Sequence, residues 1–325
     1  MKDLYERIID YLRISVTDRC NLRCIYCMPS KGMQNASSRD ILTDDEFIRI
    51  IRTAAKLGVR KIRITGGEPL LRKNLDSLVR SLSDIPGIQD ISLTTNGILL
   101  KRYARILAAS GLKRVNVSLD SLRPDRYRQI TRGGDLRDVF EGISEAEQAG
   151  LLPVKINMIP IRGINDNEIE DFARLTRYTS YHVRFIEFMP IGPRRRWAEK
   201  QYVPLREIME RVSAASQITP VRVRKAGPAR YYRYEHAEGV IGFISSVTNH
   251  FCGSCNRLRL SCEGKLRPCL FSETTVDLKS ALRSDASDEE IENLLRLAVQ
   301  IKPEGHSLSS RSFTRPSTRM STIGG

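Results

Sequence analysis

The chain has 325 residues, 41% of them hydrophobic, which is enough for one large domain or for a core domain with an extension. No run of about 18 apolar residues occurs, and the charged start MKDLYERIIDYL lacks the apolar stretch of a secretory signal, so a cytoplasmic protein without a membrane span is expected. Lys and Arg number 53 against 38 Asp and Glu, a net +15 that favours an anionic partner, and seven cysteines, an odd number, argue against a secreted disulfide framework and for reduced thiols held for metal.

Strands and helices alternate through the first half. YLRIS (11–15) reads as a first strand and leads into DRCNLRCIYCMP, where Cys20, Cys24 and Cys27 stand as C-x3-C-x2-C. Three thiolates leave one corner of a four-iron cluster without a protein ligand, and the spacing differs from that of ordinary ferredoxins. A zinc site would want a fourth Cys or His at a matching distance, and the nearest later histidine is His182. The run T43-D-D-E46 has the pattern of a capping box opening a helix with apolar positions at Phe47, Ile50, Ile51, Ala54 and Leu57, stopped by Gly58. KIRIT (61–65) is a second strand, followed by T65-G-G-E-P69 and a helix over 73–84. DISLTTN (90–96) is a third, with a helix over 99–109 and Gly111 as its stop. RVNVSLD (114–120) is a fourth, then helical turns after Pro124 and a helix over 138–149. VKINMIP (154–160) is a fifth, with a helix over 167–178, and HVRFIEF (182–188) is the sixth.

Such alternation implies a parallel sheet with right-handed crossovers, and six units are two short of a closed eight-unit barrel. The expected fold is α/β, an open partial (β/α)6 barrel with its chemistry at the C-terminal strand edge. GPRRRW near 192–197 marks a polar break, so residues 1–195 are assigned to the barrel and 196–325 to an extension. The extension should hold a helix near 204–213, strand-like VRVRK and GVIGFISS, a second cysteine cluster and a helix near 287–299, before a Ser/Arg-rich end that reads as flexible. In that cluster, Cys252, Cys255 and Cys269 read as C-x2-C-x13-C with Cys262 between them, and a four-thiolate zinc site stands as an alternative. Arg257 and Arg259, at i and i+2 after Cys255, would share a face in an extended segment and suit a polyphosphate. Arg13 and Arg63 in the first two strands and Lys155 in the fifth are costly in a core without partners, which suits an anion inside the barrel.

The cysteine run and GGEP, each after a strand on the same barrel face, resemble the radical S-adenosylmethionine (SAM) superfamily. Within it the blocks RISVTDRCNLRCIYCMP, KIRITGGEPLLR, SLTTNG, VNVSLD, VKINMIPIRGIND, RFIEFMPIG, FCGSCNRLRL and a terminal IGG resemble the GTP 3′,8-cyclase family of molybdenum cofactor biosynthesis. The resemblance implies two [4Fe-4S] clusters, one on Cys20, Cys24 and Cys27 and one on Cys252, Cys255 and Cys269. It implies SAM held by Tyr26, Gly67, Glu68, Ser118 and Met189, with Tyr26 acting through its backbone. GTP would be bound by Arg13, Arg63, Thr94, Lys155, Arg257, Leu258 and Arg259. Arg257, Arg259, Arg319, Gly324 and Gly325 would serve catalysis, the last two in a tail that enters the site. Cys262 has no counterpart in the family pattern. The implied reaction cyclises GTP to 3′,8-cyclo-7,8-dihydro-GTP: an adenosyl radical takes the ribose C3′ hydrogen and C3′ attacks C8 of guanine. The implied partners are an electron donor of flavodoxin or ferredoxin type, the next enzyme of pterin formation and a second copy in a homodimer, without membrane or nucleic acid. Two other classes remain in view: a twin-cluster radical SAM enzyme that matures a peptide, and a basic, zinc-stabilised nucleic-acid-binding protein.

Overall fold

The computed structural model describes residues 1–32, 34–189, 191, 200–223 and 227–306. Six strands, β1 (Tyr11–Ser15), β2 (Lys61–Thr65), β3 (Asp90–Thr95), β4 (Arg114–Ser118), β5 (Lys155–Met158) and β6 (His182–Ile186), lie side by side in chain order and all run parallel. Helices α1 (Asp44–Lys56), α2 (Leu75–Ser83), α3 (Leu100–Ala109), α4 (Pro124–Thr131), α5 (Leu136–Gln148) and α6 (Ile169–Leu175) connect them. This is the partial (β/α)6 barrel expected from the alternation of strands and helices. The Thr43 capping box is formed as expected: its side chain accepts from the Glu46 amide, and the Glu46 carboxylate accepts from the Thr43 amide. Gly58 and Gly111 follow their helices with φ of +98° and +106°, conformations that favour glycine.

The C-terminal half does more than extend the barrel. After α7 (Leu205–Ala215) come β7 (Ile218–Val221), β8 (Arg230–Tyr234), β9 (Val240–Ile244), β10 (Arg257–Leu260), β11 (Lys265–Arg267) and β12 (Val276–Asp277), then α8 (Leu278–Arg283) and α9 (Asp288–Gln300). They join one twelve-stranded sheet in the order β12-β11-β10-β1-β2-β3-β4-β5-β6-β9-β8-β7. β10 pairs in parallel with β1, and β9 in parallel with β6, so both open edges of the barrel are covered. GVIGFISS forms a strand as expected. VRVRK does not: the strand is Ile218–Val221, ending where that run begins, and 224–226 lie outside the described residues. Its antiparallel partner RYYRY (β8) mixes Arg with Tyr and buries Tyr231 and Tyr234.

Within each barrel strand one set of side chains packs outward under the helices: Leu12, Ile14, Ile62, Ile64, Val115, Val117, Ile156, Val183 and Phe185 are all buried in one core. The alternate set is polar and faces the lumen. Register aligns Arg13 with Arg63 on one side and with Arg259 on the other. The same period places Lys155 beside Asn116, and Asn157 beside Arg184. Among the described residues no helix is long and apolar enough to cross a membrane.

Candidate active site

Two thiol-bearing regions lie at this sheet. The first is the loop after β1. The amides of Cys27 and Met28 both bond the Cys24 carbonyl, at 3.0 and 3.2 Å, and the Arg23 and Ile25 amides tie the loop to the Thr131 and Ile130 carbonyls at the end of α4. Gly66 and Gly67 cross directly behind it: a Cβ on Gly67 would stand 2.3 Å from the Arg19 carbonyl oxygen, so no side chain fits there. Gly67 and Glu68 donate their amides to the carbonyls of Thr17 and Arg19, both at 2.7 Å.

The Glu68 carboxylate is buried and gathers three donors from two segments. It accepts from the Thr95 hydroxyl and the Asn96 amide at 2.7 Å and from the Leu70 amide at 3.1 Å. Burial outweighs these bonds and lifts it to about 7. The Asn96 side chain continues to Asn21 in the cysteine loop. On the opposite flank, the buried Asp120 after β4 accepts from the Tyr26 hydroxyl and from the Ile159 amide, and burial raises it to about 6. Tyr26 packs edge-on against Phe188, beside Met189. The thiols of Cys20 and Cys27 are pushed up to about 11 and about 12, first by burial and then by nearby negative groups, Glu68 for Cys20 and Cys20 and Asp120 for Cys27. Cys24 moves the same way, by burial and then by Cys27. Three half-buried thiols without a protein cation to hold them ionised suit a metal cluster that supplies that charge.

The second region is a cavity within the barrel. Arg13, Arg63, Thr94, Lys155, Arg184, Arg257 and Arg259 line it together with Cys252, Cys255 and Cys269. Acidic compensation is sparse: Asp90 takes both ends of the Arg114 guanidinium at 2.6 and 2.5 Å, and Lys61 pairs with Asp10 at 2.8 Å. Arg184 meets no carboxylate in its hydrogen bonds among the described residues; it donates to the side-chain amide oxygens of Asn116 at 2.7 Å and Asn157 at 2.5 Å. The excess of positive charge shows in Lys155, which burial, then Arg184, Arg114 and Arg63, lower to about 7. Burial likewise lowers Arg184 and Arg259 to about 10. Nε of Arg63, Nε of Arg257 and the Thr94 hydroxyl are buried without a hydrogen-bond partner. Buried polar atoms left unpaired in a cation-lined cavity are what an anionic, hydrogen-bonding ligand would complete.

Burial pushes the Cys255 thiol up, but the charges of Lys302, Arg257 and Arg259 outweigh it and leave it below the ordinary value. Cys252 stands higher than usual, chiefly through burial. The segment after α9 straps this cysteine group in place. Arg7, itself buried, donates to the carbonyls of Cys252, Pro303 and Glu304 at 2.8, 2.7 and 2.7 Å. His250, Cys252 and His306 bring nitrogen and sulfur donors within 4.8 Å of one another. Cys262 is fully buried, does not line the cavity, and its carbonyl accepts the Leu42 amide.

The cavity gathers most of the residues assigned to substrate and second cluster, with Met189 at its rim. Leu258 has its side chain buried in the core against β1, away from the cavity, because i+1 in a strand faces the opposite side. Tyr26, Gly67, Glu68 and Ser118 do not line this cavity. Tyr26 lies within the cysteine loop, Gly67 and Glu68 pack against it, and Ser118 ends β4 opposite Asn157. The Tyr26 hydroxyl is engaged by Asp120. Arg319, Gly324 and Gly325 lie outside the described residues. Arg114, Asn157 and Arg184 were missed, although a charge or amide at the lumen period of a strand, the argument that found Arg13 and Lys155, points to them equally. Lys302 and His306 carried no such signal.

An open (β/α)6 barrel with a three-cysteine loop after its first strand and a glycine-glycine-glutamate turn after its second defines a radical SAM enzyme. The model described as "Radical SAM superfamily" matches residues 14–176, and "Molybdenum Cofactor Synthesis C" matches residues 181–308. The chain is 52% identical to the GTP 3′,8-cyclase of Thermodesulfovibrio yellowstonii and 49% identical to that of Alkaliphilus metalliredigens, covering all of both chains in each case. The chain belongs to the GTP 3′,8-cyclase family within the radical SAM superfamily. In fold it is similar to Streptococcus suis SuiB bound to SAM, with a TM-score of 0.61 and 17% identity over 88% of this chain and 68% of that one.

Proposed function

We propose that this protein cyclises GTP to 3′,8-cyclo-7,8-dihydro-GTP, the first step of molybdenum cofactor biosynthesis, with a [4Fe-4S] cluster on Cys20, Cys24 and Cys27 and a second on Cys252, Cys255 and Cys269. The observation that carries the reading is the cavity itself: unpaired donors of Arg63, Arg257 and Thr94 beside three cysteines and an under-compensated set of cations. When bound, the first cluster and SAM supply a carbon-centred radical that removes one substrate hydrogen atom.

The chain's own residues do the rest. Arg63, Lys155, Arg257 and Arg259 hold a triphosphate, and Arg13 and Arg184 extend the same charged belt. The Thr94 hydroxyl donates to a sugar or phosphate oxygen. Cys252, Cys255 and Cys269 would hold the second cluster at the cavity wall, three thiolates for four irons. Glu68 and Asp120 fasten the loops around the SAM side, so that the reacting groups are positioned before the radical forms. The cations lie inside the barrel rather than on its outer face, which speaks against a nucleic-acid-binding surface. A cytoplasmic homodimer, supplied with electrons by a small redox protein and followed by the next enzyme of pterin formation, completes the proposal.

The test is anaerobic reconstitution followed by incubation with SAM, dithionite and GTP. Formation of 5′-deoxyadenosine and a cyclised guanine nucleotide in comparable amounts is the expected result. 5′-Deoxyadenosine without GTP consumption would overturn the substrate, and neither product from fully iron-loaded protein would overturn the reaction.

A further inference from the structure

Lys302 follows α9 and is only 3% exposed. An ammonium has three N–H donors, and here all three are placed: on the Pro268 carbonyl at 2.8 Å, on the Arg257 carbonyl at 2.9 Å and on the Cys255 sulfur at 3.6 Å. The two carbonyls belong to residues flanking different cysteines, one directly before Cys269 and one two residues after Cys255. No carboxylate pairs with Lys302 in the ion pairs among the described residues, although the chain uses carboxylates freely elsewhere, as for Arg7, Arg72 and Arg114. A buried cation that meets only carbonyls and one sulfur takes its counter-charge from that sulfur, so it is matched to an anionic group at Cys255. The lowered Cys255 thiol agrees with this geometry.

We propose that Lys302 is a positioning residue for the second cluster, fixing the separation of its cysteine segments and, by its charge, raising its reduction potential. The inference rests on the two-cluster reading above. Reduction adds one negative charge to a cluster, and a fixed cation against a ligand sulfur favours the more negative state; hydrogen bonds to the sulfurs and net charge are the protein's means of setting such potentials. The first trio has no counterpart: no lysine or arginine nitrogen donates to the sulfurs of Cys20, Cys24 or Cys27 in the described hydrogen bonds, and no cation is among the influences on their thiols. The two clusters would then differ in potential, with the second the easier to reduce.

The experiment uses the full chain with Cys20, Cys24 and Cys27 replaced by Ala, so that only the second cluster assembles, and adds Lys302→Met or Lys302→Arg. Iron and sulfide per chain are measured, and the reduced cluster is titrated by electron paramagnetic resonance against potential. The expected result is a full cluster in all three proteins, with the Met variant shifted to more negative potential and the Arg variant close to the parent. Loss of the cluster in the Met variant alone would also support the charge role. An unchanged potential in a fully loaded Met variant would overturn it, as would equal cluster loss in both variants. If the parent itself assembles no cluster, it is the two-cluster reading that falls, and the outcome for Lys302 is not confused with it.

Discussion

Lys155 shows what the cavity does to a single residue. Burial and three neighbouring arginines bring its ammonium down to about 7, so at pH 8 most free protein carries it neutral. A bound triphosphate favours the charged form and raises that value. Binding above pH 7 therefore takes up a proton, and affinity falls as pH rises from 7 toward 9, by at most about tenfold per unit. Calorimetry of GTP binding in buffers of differing ionisation heat measures that uptake, and Lys155→Met should abolish it. Thr94 gives a second test at this scale. Its buried hydroxyl has no partner, so Thr94→Val should leave the melting temperature unchanged or higher while raising the KM for GTP roughly five- to tenfold, about 1 kcal/mol of lost hydrogen bonding. A purely structural threonine would show the reverse pattern. Arg13, Arg63 and Lys155 were legible in the sequence because a charge inside a barrel strand is costly without a ligand. Lys302 was not, because a lysine two residues after a helix looks like any solvated one until the fold folds it under. The Leu258 side chain parts from those of Arg257 and Arg259 for a simple reason: a motif assigns a run of residues, whereas a strand gives alternate ones to opposite faces.

At the scale of elements, the loop that carries Cys20, Cys24 and Cys27 depends on a neighbour with no side chain. Gly67→Ala puts a methyl 2.3 Å from a backbone oxygen that has nowhere to retreat without moving the cysteines. Reconstituted protein of that variant should lose about half its iron and sulfide, the first cluster's share, and keep the second. Cys262 makes the complementary case. It is buried outside the cavity, where burial raises its thiol to about 12. Cys262→Ala should leave iron content unchanged, whereas Cys269→Ala should lower it by about half. The helices and six barrel strands were readable from capping signals and period. The strands of the second half were less so: β11 and β12 are three and two residues long, and β8 mixes Arg with Tyr without a clean period of two. Pairing partners, rather than local composition, make them strands.

At the scale of the molecule, the division at the polar break suggested an appendage, yet the later strands form both flanks of the barrel sheet. Val240, Ile241 and Phe243 of β9 and Leu258 and Leu260 of β10 are all buried. At about 2 kcal/mol each, their contribution is roughly 10 kcal/mol, comparable to the whole stability of a typical domain. A fragment ending at residue 199 should therefore fail to give a soluble protein with a cooperative thermal transition, tested by expression and circular dichroism beside the full chain. Topology of this kind is invisible to periodicity, since nothing in GVIGFISS or RLRL says which edge each will join. β10 also brings Cys255, Arg257 and Arg259 to β1, next to Arg13, so one pairing both completes the sheet and assembles the site.

The charged belt has a consequence for how this protein would choose among nucleotides. Guanidinium and ammonium groups recognise phosphate, and ATP, CTP and inorganic triphosphate offer the same phosphates as GTP. Competition assays and thermal-shift screens would accordingly report many false relatives of the substrate, each docking by its tail. On the proposed reading, discrimination would fall to the far wall, where Cys252, Cys255 and Cys269 would hold the second cluster. Fidelity and tightness are thus governed by different residues, and a variant can lose one while keeping the other.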